Sequence, residues 1–319
     1  MVIVRFVLKR LAGMALVLLV VTFLVFSLIA LSPGSVVATL LGTQPATPRA
    51  IAAITAQYHL NDPFLVQYWR WLSGAVHGDF GSSIQSGASV TSVIASHLPV
   101  TLELALYALV LVVVVGIPAG MVAGIRQGRS ADRGVSGLAI VGLSAPAFAV
   151  GLLLIYVFGV QLGWFPVYGA GGSGLADRVS HLTLPTVALA TGLMALIVRQ
   201  TRAAVMDVME QDYITFARAR GLSWPRIMAG YALRNTALPV VTTAGLLLIF
   251  AIGGTVLVET VFSLQGAGML MVQSIQAKDI PVVQGLAFFV ALVVVAVNLL
   301  VDTAALIIDP RVRAGVTSQ

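Results

Sequence analysis

The chain has 319 residues, of which 59% are hydrophobic and only 9% are charged, and its mean hydropathy is +1.00. Such a composition leaves too few polar side chains to cover a soluble globule, so it predicts an integral membrane protein. The net charge is +6 and there is no cysteine, which excludes disulfides, thiolate catalysis and sulfur-ligated metal sites.

The first predicted element is a membrane span. Residues 11–31 are 21 nearly uninterrupted apolar positions that follow the basic residues Arg5, Lys9 and Arg10. A cleaved signal peptide has an apolar core of about 7–15 residues and a small-residue cleavage site. Because this run is longer and ends at Ser-Pro-Gly, we expect a retained helix.

A long polar segment, residues 33–98, follows with helices of its own. One helix is predicted to start at Pro48 and to reach about residue 60, and another is predicted to start at Pro63, because proline favours the first turn of a helix. Trp69 and Trp71 suit either a membrane interface or the core of a small external subdomain.

Five further spans are predicted from apolar runs of sufficient length. They cover about residues 101–125, 135–160 (broken by Pro146), 181–198 (continuing past Arg199 and Arg202), 236–258 and 282–308. Within the second span, Gly116, Gly120 and Gly124 form a small-residue ridge, which favours close packing of another helix.

The basic residues predict which ends of the spans face the cytoplasm. With the N-terminus inside, 14 of the 18 Lys and Arg residues fall on the cytoplasmic side. The remaining four are Arg49, Arg70, Arg178 and Lys278. The positive-inside rule therefore favours cytoplasmic N- and C-termini and a cytoplasmic hairpin at residues 207–239.

The polar hairpin between the fourth and fifth spans is predicted to contain two short helices. Asp207 and Glu210 form a capping-box pattern that favours a helix start, and Gly221 suits the residue just after that helix ends. Ser223 favours the start of a second helix, and Pro239 marks the predicted entry to the fifth span. Tyr213, Phe216, Ala217 and Arg220 share one side of the first helix, which is typical either of a helix lying on lipid headgroups or of a docking helix.

The run EQDYITFARARGL in this hairpin resembles the cytoplasmic "EAA" loop of ABC importer membrane subunits, which inserts into a cleft on the ATPase subunit. The match lies in the spacing of Ala217, Ala219 and Gly221, since the glutamate is displaced to Glu210. The resemblance implies that the ATPase-coupling residues are Asp212, Tyr213, Phe216, Ala217, Arg218, Ala219, Arg220 and Gly221. On that interpretation, Ala217→Glu is expected to leave folding intact and to uncouple ATP hydrolysis from uptake.

Other blocks resemble permease subunits of dipeptide and oligopeptide ABC importers. They include YHLNDPFLVQYWRWL, GDFGSSIQSGASV, HLPVTLELAL and VETVFSLQGAGMLMVQSIQAKDIPVVQG. The resemblance implies an all-α integral membrane protein with the type I ABC importer permease (MetI-like) fold and six transmembrane helices. Its expected divisions are 1–32 (cytoplasmic segment and first helix), 33–98 (external subdomain), 99–310 (five-helix core with hairpin 207–239) and 311–319 (cytoplasmic tail).

The resemblance also implies the partners and the function. They are a homologous second permease in a heterodimer, two cytoplasmic ATP-binding subunits that hold ATP and Mg, and an external substrate-binding lipoprotein, in a bacterial inner membrane. The expected function is di- or oligopeptide uptake. Nickel, glutathione or another small solute remains an alternative within the family, and an ion-gradient-driven secondary transporter is an alternative outside it.

The sequence favours no enzymatic activity in this chain. It lacks the phosphate-binding GxxxxGK[ST] loop and the HExxH motif. The GxGxxG match at Gly169, Gly171 and Gly174 follows a membrane loop rather than a strand, so we reject it. The four histidines are better explained as loop residues than as metal ligands, and we predict no cofactor, metal or nucleic acid bound by this chain.

Three acidic residues, Glu103, Glu259 and Asp302, lie near predicted span ends, where a charge costs less than at the centre of the membrane. Asp302 is a candidate partner for Arg199 or Arg202. Glu259 either lines a solute pathway or pairs locally, and the sequence assigns no substrate-binding residue.

Overall fold

The computed structural model of the chain describes residues 2–31, 37, 41, 45–172 and 174–308. Within this part of the chain the regular structure is helical, with a single isolated antiparallel bridge between Ser82 and Ser89. The all-helical prediction is therefore confirmed. The predicted tail at 311–319 lies outside the described residues.

The described chain contains both membrane-length and short helices. In order they are α1 (Val2–Leu31), α2 (Pro48–Gln57), α3 (Phe64–Val76), α4 (Val90–Ile125), α5 (Ser130–Ser144), α6 (Ala147–Gln161), α7 (Leu175–Met209), α8 (Asp212–Ala219), α9 (Trp224–Val261), α10 (Ala267–Gln276) and α11 (Ile280–Ile308). In the described residues, α1, α4, α7, α9 and α11 are long and apolar enough to cross a membrane, and α5 with α6 makes a sixth span if the pair is counted as one. This pattern agrees with the six predicted spans.

The third predicted span is sharply bent. The helices α5 and α6 meet at 101° around Ala145 and Pro146. The residue before a proline is disfavoured in the helical conformation, and Ala145 is accordingly extended, with ψ 118°. The predicted break at Pro146 is confirmed.

Two predicted helix boundaries are wrong. The capping pattern at Asp207 starts no helix, because α7 runs through it to Met209. An aspartate and a glutamate three residues apart suit an exposed helix surface as well as a cap, and an unbroken helix keeps its backbone hydrogen bonds. Likewise the second hairpin helix does not end before Pro239, since α9 is continuous from Trp224 to Val261. Where α9 enters the membrane stays a prediction.

The polar segment after α1 contains the two helices predicted for it. Thr47 caps α2, with its Oγ1 accepting a hydrogen bond from Ala50 N at 3.2 Å. The two tryptophans of α3 have different environments. The Trp71 ring packs 5.7 Å from the Phe26 ring, whereas Trp69 is 61% exposed.

The contacts divide the chain into two compact units. One contains Thr101–Leu264 and the end of α11 from Val297, and within it α7 packs against α4, α5, α6 and α9. The other contains Val4–Val100 and Gln265–Ala296. Two apolar clusters stabilise the second unit; their buried members are Val90, Ile94, Leu270, Val282 and Leu286 in one, and Phe26, Tyr68 and Leu72 in the other.

Candidate functional site

The candidate site is the hairpin between α7 and α9, in which α8 is a short helix with a tight turn at each end. The chain leaves α7 at Met209 and enters α8 at Asp212. After α8 ends, Gly221 adopts φ 75°, a left-handed conformation that glycine reaches without steric cost. Ser223 then precedes α9, as predicted.

One side of α8 faces the inside of the hairpin. Ile214 and Ala217 are buried in an apolar cluster with Val208, Ile227 and Ala232. Ala217 is only 3% exposed, so it does not share an exposed side with its predicted neighbours. The reason is tertiary: α7 and α9 return past α8, and the small side chain allows their close approach.

The opposite side of α8 presents aromatic and basic side chains. Phe216 is 68% exposed, an unusual position for a large apolar ring. Tyr213 stacks on Tyr231 with ring centroids 6.2 Å apart. The guanidinium of Arg218 lies 5.5 Å from the centre of the Trp224 ring, a cation–π arrangement.

We call Tyr213, Phe216, Arg218 and Trp224 the exposed hairpin face. Asp212, Ala219, Arg220 and Gly221 are also exposed, so all the predicted coupling residues except Ala217 are accessible on the hairpin. Sequence reasoning missed Trp224. The sequence feature that could have identified Trp224 is the presence of a large aromatic residue in an otherwise polar turn.

The three ridge glycines of α4 lie where α4 packs against α7. A Cβ atom added at Gly120 would lie 2.7 Å from both Val198 O and Thr201 Cβ. One added at Gly124 would lie 2.9 Å from Arg202 O. Since real Cβ contacts are longer than this, the two helix backbones are too close for any larger residue. This contact fixes the helix that leads into the hairpin.

A bidentate ion pair joins α7 to the start of α5. Arg202 donates from Nε and Nη2 to the two carboxylate oxygens of Asp132, at 2.6 and 2.8 Å. Asp132 also accepts a hydrogen bond from Gly128 N at 2.8 Å. This geometry is the strong form of a charged hydrogen bond. Asp132 is therefore a partner of Arg202 that the sequence did not suggest, and the suggested pairing of Asp302 with Arg199 or Arg202 stays a prediction.

Two of the acidic residues near span ends accept hydrogen bonds from side chains of other helices. Glu103 accepts a hydrogen bond from Arg178 Nε at 2.6 Å. The buried carboxylate of Glu259 accepts one from Thr101 Oγ1, also at 2.6 Å. Of the two alternatives for Glu259, the structure supports local pairing, which offsets the cost of placing a carboxylate away from water.

In the second unit, a buried carboxylate anchors a surface loop. Asp279 accepts hydrogen bonds from Ser83 Oγ at 2.5 Å, Ile84 N at 3.1 Å and Gln85 N at 3.3 Å. Asp279 and Ser83 are 196 residues apart, so no spacing in the sequence indicates this contact. It fixes the loop that follows Gly81 and leaves residues 85–89 exposed.

Comparison with known proteins agrees with this architecture. The family model described as binding-protein-dependent transport system inner membrane component matches residues 116–314, and its N-terminal companion matches residues 3–105. A probable peptide ABC transporter permease of Sinorhizobium fredii is 36% identical over 310 residues, covering 97% of this chain and 99% of that protein. The glutathione transport system permease GsiC of Escherichia coli K12 is 38% identical over 309 residues, with the same coverage.

A solved structure shares the fold. The inward-facing MetNI methionine ABC transporter matches with a TM-score of 0.58 and 19% identity, over 68% of this chain and 96% of that one. The family description and the names of these relatives are those of permease components of binding-protein-dependent ABC transporters. The chain belongs to the binding-protein-dependent transport system inner membrane components, and it is a multi-pass permease subunit of an ABC importer with the MetI-like type I fold.

Proposed function

We propose that this permease subunit carries a peptide or a peptide-like solute into the cell. The observation that supports it is full-length similarity to two relatives, one named for peptide and one for glutathione transport. Glutathione is therefore the second candidate substrate. Nickel and other small solutes are alternatives within the family that neither of these names favours.

Uptake measurements in a strain that lacks the complex test the substrate. The chain, restored together with its partner permease and ATPase subunits, is expected to support uptake of a radiolabelled dipeptide or of radiolabelled glutathione. An excess of the unlabelled solute should compete. The matched control is the same complex with an inactivated ATPase. Uptake that continues in this control, driven by an ion gradient, would instead indicate a secondary transporter.

We further propose that the exposed hairpin face is the surface that docks on an ATPase subunit. Interfaces concentrate binding energy in a few aromatic and arginine residues that become buried on contact. Phe216 and Trp224 supply exposed rings, and Arg218 supplies a guanidinium beside one of them. The buried side of α8, at Ile214 and Ala217, holds that face in place.

The helices on either side of α8 give a route for coupling. α7 and α9 each run without a break from the hairpin into a membrane-length segment. A shift of α8 therefore moves both helices directly. Moving a two-state gate from 1:99 to 99:1 takes about 5.5 kcal/mol of differential binding, so alternating access requires a firm contact of this kind.

Phe216→Asp tests the docking surface. We expect it to weaken ATPase binding by about 30-fold or more, since a buried aromatic anchor is typically worth at least 2 kcal/mol, and to reduce uptake in parallel. Affinity is measured with the purified ATPase subunit and the permease in lipid nanodiscs. Phe216→Leu, which keeps an apolar side chain, is the matched control and should retain most binding. Full coupling in Phe216→Asp would exclude this face as the docking surface.

The same proposal includes the orientation of the chain in the membrane, the subunits that bind ATP and the role of the external segment. The hairpin and both termini lie in the cytoplasm, as the distribution of 14 of 18 basic residues favours. ATP and Mg are bound by the partner ATPase subunits. The long segment between the first two spans faces an external substrate-binding lipoprotein, with the loop anchored by Asp279 exposed on it.

A further inference from the structure

A groove of about 300 Å³ lies between α4, α5 and α7, within the unit that contains Thr101–Leu264. Small buried residues, among them Ala139, Gly142 and Ala195, form its bottom. The exposed side chains of Val115 and Leu138 stand at its edges. The groove is therefore a narrow slot that opens to the outside of its unit.

The lining of the groove is apolar almost throughout. Its polar member is Thr191, whose Oγ1 already donates a hydrogen bond to Val187 O at 2.7 Å. Both α4 and α7 are long and apolar enough to cross a membrane. Water in such a slot would lack the two to four polar partners that an ordered water needs, whereas a hydrocarbon chain gains van der Waals contacts with the walls.

Basic residues lie at the end of the groove where the short turn between α4 and α5 closes it. Arg126 follows the lining residue Ala119 by seven positions, and two helical turns bring a side chain back to the same side. The helical hydrogen bond from Arg126 N to Val122 O, 3.0 Å long, shows that this register holds. On α7, Arg202 lies one turn beyond the lining residue Val198.

The carboxylate of Asp132, one turn before the lining residue Val135, lies at the same end. Its charge is balanced, because Arg202 donates both of its hydrogen bonds to it and Gly128 N donates a third. Arg126 is exposed, and none of the ion pairs in the described part of the chain includes it. This end of the groove therefore offers a positive charge to an anionic group.

A phospholipid with an anionic headgroup combines the two chemistries. Arginine recognises phosphate, and basic pockets between transmembrane helices bind anionic headgroups. At 1.5 Å per residue, Arg126 lies about 10 Å beyond Ala119 along the helix. The headgroup layer on one side of a bilayer is about 5–8 Å thick. A phosphate beside Arg126 thus leaves an acyl chain at the depth of the groove.

A helix from another subunit fits the groove less well than an acyl chain. One turn of helix with its side chains, about 10 Å wide and 5.4 Å long, occupies roughly 400 Å³. That volume exceeds the whole groove. A helix would therefore stop at the edges, at Val115 and Leu138, and leave the bottom of the slot empty.

We propose that this groove binds one acyl chain of an anionic phospholipid whose phosphate contacts Arg126. The site goes beyond the transport function proposed above. Its test requires neither transport nor an ATPase subunit.

Native mass spectrometry of the purified full chain tests the site. The chain is depleted of lipid in detergent and titrated with phosphatidylglycerol, or with phosphatidylcholine that carries the same acyl chains. We expect the first phosphatidylglycerol to bind at least about fivefold more tightly, since one arginine near an anionic headgroup contributes about that factor. Equal binding of the two lipids would overturn the proposal.

Arg126→Gln removes the proposed headgroup contact and should abolish the preference for phosphatidylglycerol. Its matched control is Arg133→Gln. Arg133 belongs to the same basic segment and is exposed, but it lies on the far side of α5 from Val135, because two helical residues rotate the direction by about 200°. The control should keep the preference. An equal loss in both variants would indicate general attraction to basic residues and would contradict a specific site.

Val115→Phe places a ring in the groove and should remove the tightly bound lipid. Val114→Phe is the matched control, because Val114 is the exposed neighbour outside the groove. Thermal unfolding followed by circular dichroism checks that each variant folds, and if Val115→Phe does not fold, the contrast between Arg126→Gln and Arg133→Gln decides. If folded Val115→Phe keeps the lipid but no longer assembles with a partner permease, the groove is a protein interface and the proposal is wrong.

Discussion

Ala217 is a buried packing residue at the centre of the hairpin. Its methyl group lies in the cluster formed with Ile214, Val208, Ile227 and Ala232, where α7, α8 and α9 come together. A side chain larger than alanine would separate α8 from the two long helices. Ala219, two residues later on the same helix, is exposed. The two alanines have the same intrinsic helix propensity, so their environments alone distinguish them.

Ala217→Glu is therefore expected to destabilise the hairpin by roughly 3 kcal/mol or more, since it places an unpaired carboxylate among apolar side chains. This result is the reverse of the expectation from sequence alone, in which folding stays intact. Limited proteolysis of the hairpin in nanodiscs, read by mass spectrometry, measures the loss. Ala219→Glu is the matched control and should be cleaved no faster than the unmodified chain. Equal protection of both variants would show that Ala217 is not a packing residue.

At the scale of elements, the contact between α4 and α7 determines where the hairpin is held. Gly120 lies against Val198 O and Thr201, and Arg202, one residue beyond Thr201, binds Asp132 of α5. Close backbone packing and a bidentate ion pair therefore act on about the same turn of α7. This arrangement ties α7 to α4 and α5, so these three helices support the hairpin as one packed group within their unit.

Gly120→Ala should weaken that support. The new Cβ would lie 2.7 Å from two atoms of α7, so the helices must separate, at a cost of about 1–3 kcal/mol. The melting temperature of the chain in nanodiscs should fall. Gly137→Ala, in α5, is the matched control, because nothing lies within 4 Å of a Cβ added there, and its melting temperature should stay the same or rise. A Gly120→Ala variant as stable as Gly137→Ala would show that the glycine contact is not needed.

At the scale of the whole molecule, the proposed orientation can be tested with single cysteines. The chain contains no cysteine, so each introduced thiol is a unique reporter. Phe216 and Ser86 are both exposed, on the hairpin and on the loop held by Asp279, respectively. The positive-inside rule predicts that they lie on opposite sides of the membrane.

A membrane-impermeant maleimide should label Ser86→Cys in intact spheroplasts. It should label Phe216→Cys only after the membrane is permeabilised. Labelling of both variants after permeabilisation is the control for thiol reactivity. If Phe216→Cys is labelled in intact spheroplasts, the hairpin lies outside the cell, and the proposed contact with an ATPase subunit is excluded.

The sequence by itself determined the membrane class, the helical fold, the six spans and the position of the hairpin. These features depend on local quantities: the length of an apolar run, the conformations allowed at Pro146 and Gly221, and the spacing of small residues along α4. The motifs of the hairpin also indicated the family, which the family models and the relatives confirm.

Only the tertiary structure decided which residues of those elements face inward and which distant groups meet. Ala217 is buried because α7 and α9 return past α8, and no periodicity within α8 contains that information. The pairs Arg202–Asp132 and Asp279–Ser83 join residues far apart in the chain. Such contacts depend on packing between elements, which the local pattern of a sequence does not specify.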